Sequence, residues 1–114
     1  QALSNLLDNA LDFTPAGGVI GLSAEMTGAV WQLTISNSGD PIPDYARDRL
    51  FERFYSLPRP DTGRKSTGLG LAFVREVAQL HGGVIVVDNA LDAAGRPVGV
   101  MAQLQLPAAL QTAA

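Results

Sequence analysis

Cysteine is absent from this chain, which removes both a disulfide framework and a thiolate metal site and fits a reducing compartment. No apolar run approaches the roughly 20 residues of a membrane-spanning helix, and no basic leader precedes an apolar stretch. Cationic residues are outnumbered, with 8 Lys and Arg against 11 Asp and Glu and a net charge of −3. Without a basic run, neither a nucleic-acid backbone nor an anionic membrane surface suits the chain as a main partner. Internal repeats and low-complexity segments are also missing.

What remains is enough for one core. At 114 residues, 46% hydrophobic and 17% charged, the chain holds a single globular domain and is too short for two. It opens at Gln1, without a methionine, directly into a helical pattern, which suggests a piece of something longer. Residues 108–114 are Ala-rich and read as a tail that frays.

The most informative stretch is Thr67-Gly68-Leu69-Gly70-Leu71, a small-residue run that passes straight into a helical pattern ending at His81. Two glycines so close together let backbone approach a bulky anion, while the free N–H groups of the first helical turn point at it. This is phosphate-binding chemistry, although a glycine pair before a helix also serves as a tight packing turn. At the other end of the chain Leu3, Leu6, Leu7, Ala10 and Leu11 recur at helical spacing, with Asn5, Asp8, Asn9 and Asp12 on the opposite side. Asparagine is a poor helix former, at roughly 0.5 kcal/mol per site against alanine, so two of them one turn apart invite a reason. One reason is a solvated polar face. The other is that Asn5 and Asn9 offer carbonyl oxygens to a hard cation such as Mg²⁺, which takes few protein ligands and completes its octahedron with water and phosphate oxygens. Phe13 closes this helix as a core residue or as a surface for an adenine ring.

Between these two stretches, residues 19–26 and 29–36 read as an antiparallel hairpin, the second run alternating with Trp31, Leu33 and Ile35 on one side. Asn37-Ser38-Gly39-Asp40-Pro41-Ile42-Pro43 reads as a loop at the strand end, either a plain turn or the carrier of a side chain that hydrogen-bonds a base edge. Residues 44–54 read as a short helix capped by Asp44, with Tyr45, Leu50, Phe51 and Phe54 supplying apolar contacts. Residues 55–67 lack periodicity and read as a lid, in which Arg64 and Lys65 either reach a triphosphate or simply solubilise the loop. The helix opened by Gly68 stops at Gly82-Gly83, with His81 in its last turn in a structural role at the negative helix end. Residues 84–88 and 100–106 are strands joined by a turn over 93–97. The expected fold class is therefore α/β, a two-layer sandwich with helices on one face of a mixed, mostly antiparallel sheet.

Taken together, Asn5-Leu6-Leu7-Asp8-Asn9-Ala10, the loop of residues 37–43, Phe51-Glu52-Arg53-Phe54-Tyr55 and Ser66-Thr67-Gly68-Leu69-Gly70-Leu71 resemble, in order and spacing, four boxes of the ATP-binding domain of bacterial sensor histidine kinases. The resemblance runs over residues 1–107 and implies the nucleotide-binding sandwich shared with gyrase and heat-shock chaperone ATPases. It further implies that the first strand and a dimerisation domain lie upstream. By the same resemblance ATP and Mg²⁺ are the cofactors, Asn9 is the metal ligand, and Asn5 assists at the phosphates. Phe13 contacts adenine, Asn37 and Gly39 belong to the base-binding loop, and Arg64, Lys65 and Thr67 to Leu71 surround the phosphates. Phe51 and Phe54 pack beneath the lid, with Arg53 a further phosphate-side candidate. The implied partners are a histidine-bearing dimerisation domain of the same homodimeric protein and a response regulator. The domain would be cytoplasmic and its parent anchored in the inner membrane.

Four positions depart from the pattern. Asn37 stands where the family has an aspartate; its oxygen still accepts the adenine hydrogen bond but loses charge assistance of roughly 1 kcal/mol. Pro41 replaces a glycine and lacks an N–H, Ser66 replaces another glycine, and Asp12 replaces a basic residue. Two other functions therefore stay open: a degenerate domain used for docking or regulation, and a different ATPase or protein serine kinase of the same superfamily.

Overall fold

The computed structural model describes residues 2–55 and 70–108. In chain order its elements are α1 (Ala2–Phe13), β1 (Ile20–Thr27), β2 (Val30–Ser38), a 3-10 turn (Asp44–Ala46), α2 (Gly70–Leu80), β3 (Val84–Leu91) and β4 (Pro97–Pro107). The strands form one sheet in the order β1-β2-β4-β3. Every pairing is antiparallel, so the sheet contains no parallel pair among the described residues.

One cluster holds the layers together. Leu6 and Ala10 of α1 and Val74 and Ala78 of α2 pack on Ile35, Ile85 and Leu104 of the sheet. The register explains why one sheet face receives both helices: Leu104 pairs with Leu33 and with Ile85, and directly paired residues share a face. Val74 is 0% exposed, a burial that contributes about 1.5–3 kcal/mol against leaving it in water. The α/β sandwich expected from the sequence is thus present, with β1 and β3 at the sheet edges.

Local chemistry sets the ends of the elements. Thr27 pairs with Val30, which leaves a two-residue hairpin loop with Gly28 at φ 60°, the position where such loops place glycine. Helix α2 stops as its C-terminal glycines dictate. Gly82 sits at φ 71° and its N–H donates to the Gln79 carbonyl, while the Gly83 N–H donates to the Ala78 carbonyl at 2.7 Å. Beside this cap, the His81 Nδ1 lies 2.9 Å from the Val77 carbonyl oxygen, in keeping with a structural role.

Several expected boundaries shift. Residues 44–54 form one 3-10 turn followed by irregular turns rather than a helix, and Pro43, not Asp44, occupies the cap position without a side-chain hydrogen bond. The apolar residues of that stretch do not lie on one helical stripe: Tyr45 falls opposite Phe54, and both stay exposed, at 73% and 76%. Asn37 and Ser38 continue β2 instead of opening a loop, because Asn37 pairs with Val100 and Ser38 with Gly99. Pro97 likewise belongs to β4 rather than to the preceding turn, and β3 extends to Leu91. On α1, Leu3 and Leu11 are largely exposed, at 45% and 62%, so the buried seam is Leu6 and Ala10 alone, with Leu7 beside it. No helix among the described residues is long and apolar enough to cross a membrane.

Candidate functional site

The ends of three strands and one helix meet at one side of the sheet. On the helix-facing side, Asn37 of β2, Val100 of β4 and Asn89 of β3 form a cross-strand row, since Asn37 pairs with Val100 and Val100 with Asn89. Asn37 is only 7% exposed, the one buried polar residue of the described chain. Its Nδ2 donates to the Ser38 carbonyl at 3.2 Å, and that is the one side-chain hydrogen bond it makes among the described residues. A buried amide needs partners for its remaining groups, so a ligand edge with a donor suits the Oδ1.

The end of α1 is locked to the same place. Ser38 Oγ accepts the Val19 N–H at 2.8 Å, and Thr14 Oγ1 donates to the Ala10 carbonyl, holding the chain as it leaves the helix. Gly39 has φ 138°, and a Cβ there would stand 3.0 Å from Pro15 Cδ and 3.1 Å from the Phe13 carbonyl oxygen. Glycine at 39 is therefore demanded by the approach of β2 to the α1 terminus. This brings Phe13, Asn37 and Gly39, three of the expected base-side residues, to one corner of the fold. Gly99 serves the same corner from below: a Cβ on it would lie 1.9 Å from the Asn37 carbonyl oxygen.

Asn5 and Asn9 are half-buried on the flank of α1 next to the Leu6 and Ala10 seam, and α1 packs against α2. Neither is sunk in the core, so their amide oxygens remain available at the helix surface. Among the described residues no group of three or more His, Asp or Glu is placed to hold a metal. At the start of α2, a Cβ on Gly70 would meet nothing within 4 Å among the described residues, and no positive φ demands glycine there. The N–H groups of the first turn of a helix have no acceptor within the helix itself, which is where an anion would sit. Leu71, the next residue, is half-buried and packs on the core cluster. Arg64, Lys65, Thr67, Gly68 and Leu69 lie outside the described residues.

Residues just before the expected lid meet α2. Arg53, a phosphate-side candidate by resemblance, forms an ion pair with Glu76 of α2. Phe51 is half-buried against the core and sits under the Arg75 guanidinium, 5.5 Å from its ring centroid, whereas Phe54 is exposed at φ 68°. The segment that precedes the expected lid is thus attached to α2 through neighbouring residues on both sides. Sequence reasoning missed Asn89, whose Oδ1 accepts the Ile42 N–H at 2.6 Å, and Arg47, whose Nη2 donates to Asp88 at 2.8 Å. The signal was available in the loop itself: Pro41-Ile42-Pro43 has a single backbone donor.

Comparison with known proteins agrees with this fold. A family model described as histidine kinase-, DNA gyrase B- and HSP90-like ATPase matches residues 1–109. Sensor protein CreC of Escherichia coli is 54% identical over 106 residues, covering 93% of this chain and 21% of that protein. Heme sensor protein HssS of Staphylococcus aureus is 46% identical over 85 residues, or 75% of this chain and 18% of that protein. The chain therefore spans about a fifth of the length of these curated relatives. Among solved structures, the mycobacterial sensor histidine kinase MprB superposes with a TM-score of 0.76 at 38% identity, covering 93% of this chain and 69% of that one. Histidine kinase ThkA in complex with response regulator protein TrrA superposes at 0.73 with 28% identity, covering 97% of this chain and 28% of that one. With its sandwich, its asparagine-bearing helix and its buried amide at the strand ends, this chain belongs to the family of histidine kinase-, DNA gyrase B- and HSP90-like ATPases.

Proposed function

We propose that the chain is the ATP-binding catalytic domain of a two-component sensor histidine kinase, and that it positions Mg²⁺-ATP for transfer of the γ-phosphoryl group to a histidine on a separate dimerisation domain. The observation that carries this reading is the convergence of Phe13, the buried Asn37 and Gly39 at one corner, beside the helix that bears Asn5 and Asn9. Asn37 would accept from the adenine amino group, and Phe13 would cover the ring. Asn9 would ligate the metal and Asn5 the phosphate side, while the backbone at the start of α2 would face the phosphates. Bound Mg²⁺-ATP brings the transferable phosphoryl group and the charge of the metal; the chain contributes orientation, which is where catalysis of phosphoryl transfer chiefly lies.

Relatives support the rest of the setting. ThkA is crystallised with a response regulator, so a response regulator is proposed as the downstream partner of the longer protein. That protein would be a homodimer carrying the acceptor histidine, anchored in the inner membrane with this domain in the cytoplasm. His81, followed by two glycines at the end of α2, does not resemble an acceptor motif and is read as structural.

Calorimetric titration with ATP in Mg²⁺ and in EDTA tests the reading. Saturable binding that weakens in EDTA supports it, and absence of heat at millimolar ATP overturns it in favour of a docking or regulatory module. Asn37 and Pro41 are the features that favour that second reading. Adding a histidine-bearing dimerisation domain with radiolabelled ATP then distinguishes the kinase from other ATPases of the family: label on histidine is expected with both pieces, and none on this chain alone.

A further inference from the structure

The loop that follows β2 has an unusual supply of hydrogen-bond donors. In Gly39-Asp40-Pro41-Ile42-Pro43 two residues lack an N–H altogether. The Gly39 N–H is used at once, on the Val98 carbonyl of β4 at 3.2 Å. In the second half of the loop only Ile42 retains a donor, and its side chain is buried at 6% exposure. That donor goes to Asn89 Oδ1, 47 residues further along the chain, at 2.6 Å.

The acceptor is itself held. Asn89 lies on the helix-facing side of β3, paired with Val100, and its own N–H donates to Asp88 Oδ1 at 2.8 Å. Asp88 in turn accepts from Arg47, which follows the 3-10 turn at the end of the loop. The path of the loop is therefore a bridge. It leaves β2 beside the buried Asn37, crosses the end of β4 at Gly39, and is tied down on β3, about 10 Å from where it started by ordinary strand spacing.

We infer that Asn89 is the positioning residue of the base-recognition loop, which replaces through its side chain the backbone anchorage that Pro41 and Pro43 cannot supply. This rests on the reading of Asn37 and Gly39 as the adenine side of the site. On this inference Asn89 acts through Ile42 and not on the nucleotide. It fixes Ile42, and through the short stretch back to Gly39 it fixes the side of the pocket that sees the base. Loss of its oxygen would leave a buried N–H unpaired and free the loop to move, with consequences for base recognition and none for the phosphate end.

The test separates the two ends of the ligand. Titrations of the wild-type chain and of Asn89→Ala with Mg²⁺-ATP and with Mg²⁺-tripolyphosphate, which lacks a base, are compared. For Asn89→Ala the ATP dissociation constant is expected to rise roughly five- to tenfold, with tripolyphosphate affinity unchanged. Asn89→Asp keeps an acceptor oxygen at the same place and should restore ATP binding, which also serves if the alanine variant does not fold. Equal ATP affinity in the wild type and Asn89→Ala overturns the inference. So does a parallel loss for both ligands, or an aspartate variant as weak as the alanine one. If the wild type itself binds no ATP, it is the underlying functional reading that fails, an outcome distinct from these.

Discussion

Replacing Gly99 by alanine tests the link between fold and site most directly. The added Cβ would lie 1.9 Å from the Asn37 carbonyl oxygen, 2.9 Å from the Asn37 carbonyl carbon and 2.9 Å from Ser38 Cα. All three are backbone atoms of β2, so no side chain can swing away, and the strands must separate locally by about 1 Å to reach the closest approach real Cβ atoms show. Overpacking of this kind costs about 2–3 kcal/mol, which for a domain of this size lowers Tm by roughly 8–15 °C. Because the displaced residue is Asn37, ATP affinity should fall as well, beyond what partial unfolding explains. Gly21→Ala is the matched control. Its Cβ would meet only the Ser36 hydroxyl at 2.9 Å, a group free to rotate, so stability should stay within about 0.5 kcal/mol. Thermal and urea denaturation followed by circular dichroism, with ATP titration at 15 °C, would measure both variants. A Gly99→Ala protein as stable as Gly21→Ala would refute the idea that backbone contact between β4 and β2 shapes this corner.

Other consequences can be measured alongside. Asn9→Ala should abolish Mg²⁺-dependent nucleotide binding with Tm changed by no more than a few degrees, because the side chain is half-buried at the helix surface; unchanged affinity would remove the metal assignment. Gly82→Ala should lose about 1 kcal/mol in urea unfolding, since φ 71° disfavours a Cβ although the nearest atom, Pro107 Cγ, is 3.8 Å away; a neutral result would count against the helix stop. Arg53→Ala and Glu76→Ala should each cost less than about 1 kcal/mol, with a coupling of the same order in a double-mutant cycle, because both side chains are half exposed or more. If Arg53 contacted phosphates instead, Arg53→Ala alone would lower ATP affinity about tenfold while Glu76→Ala would not.

Much of this protein is determined by its sequence alone. Alternation in β2, helical spacing in α1 and α2 and the Gly82-Gly83 stop are local patterns, and each appears in the folded chain where short-range physics places it. The same holds for the order of the four boxes, which is enough to identify the family. Tertiary structure decided the rest. Whether Asn37 ends a strand or begins a loop depends on Gly99 allowing two backbones to touch, a contact made across 62 positions of chain that no local window contains. Residues 44–54 have helical composition but no single apolar stripe, so burial of Ala46 and packing of Phe51 on the core hold them on another path. Asn89 shows the principle most plainly: an asparagine near a strand end carries no distinctive signal until the fold brings it under the one donor that two prolines leave behind.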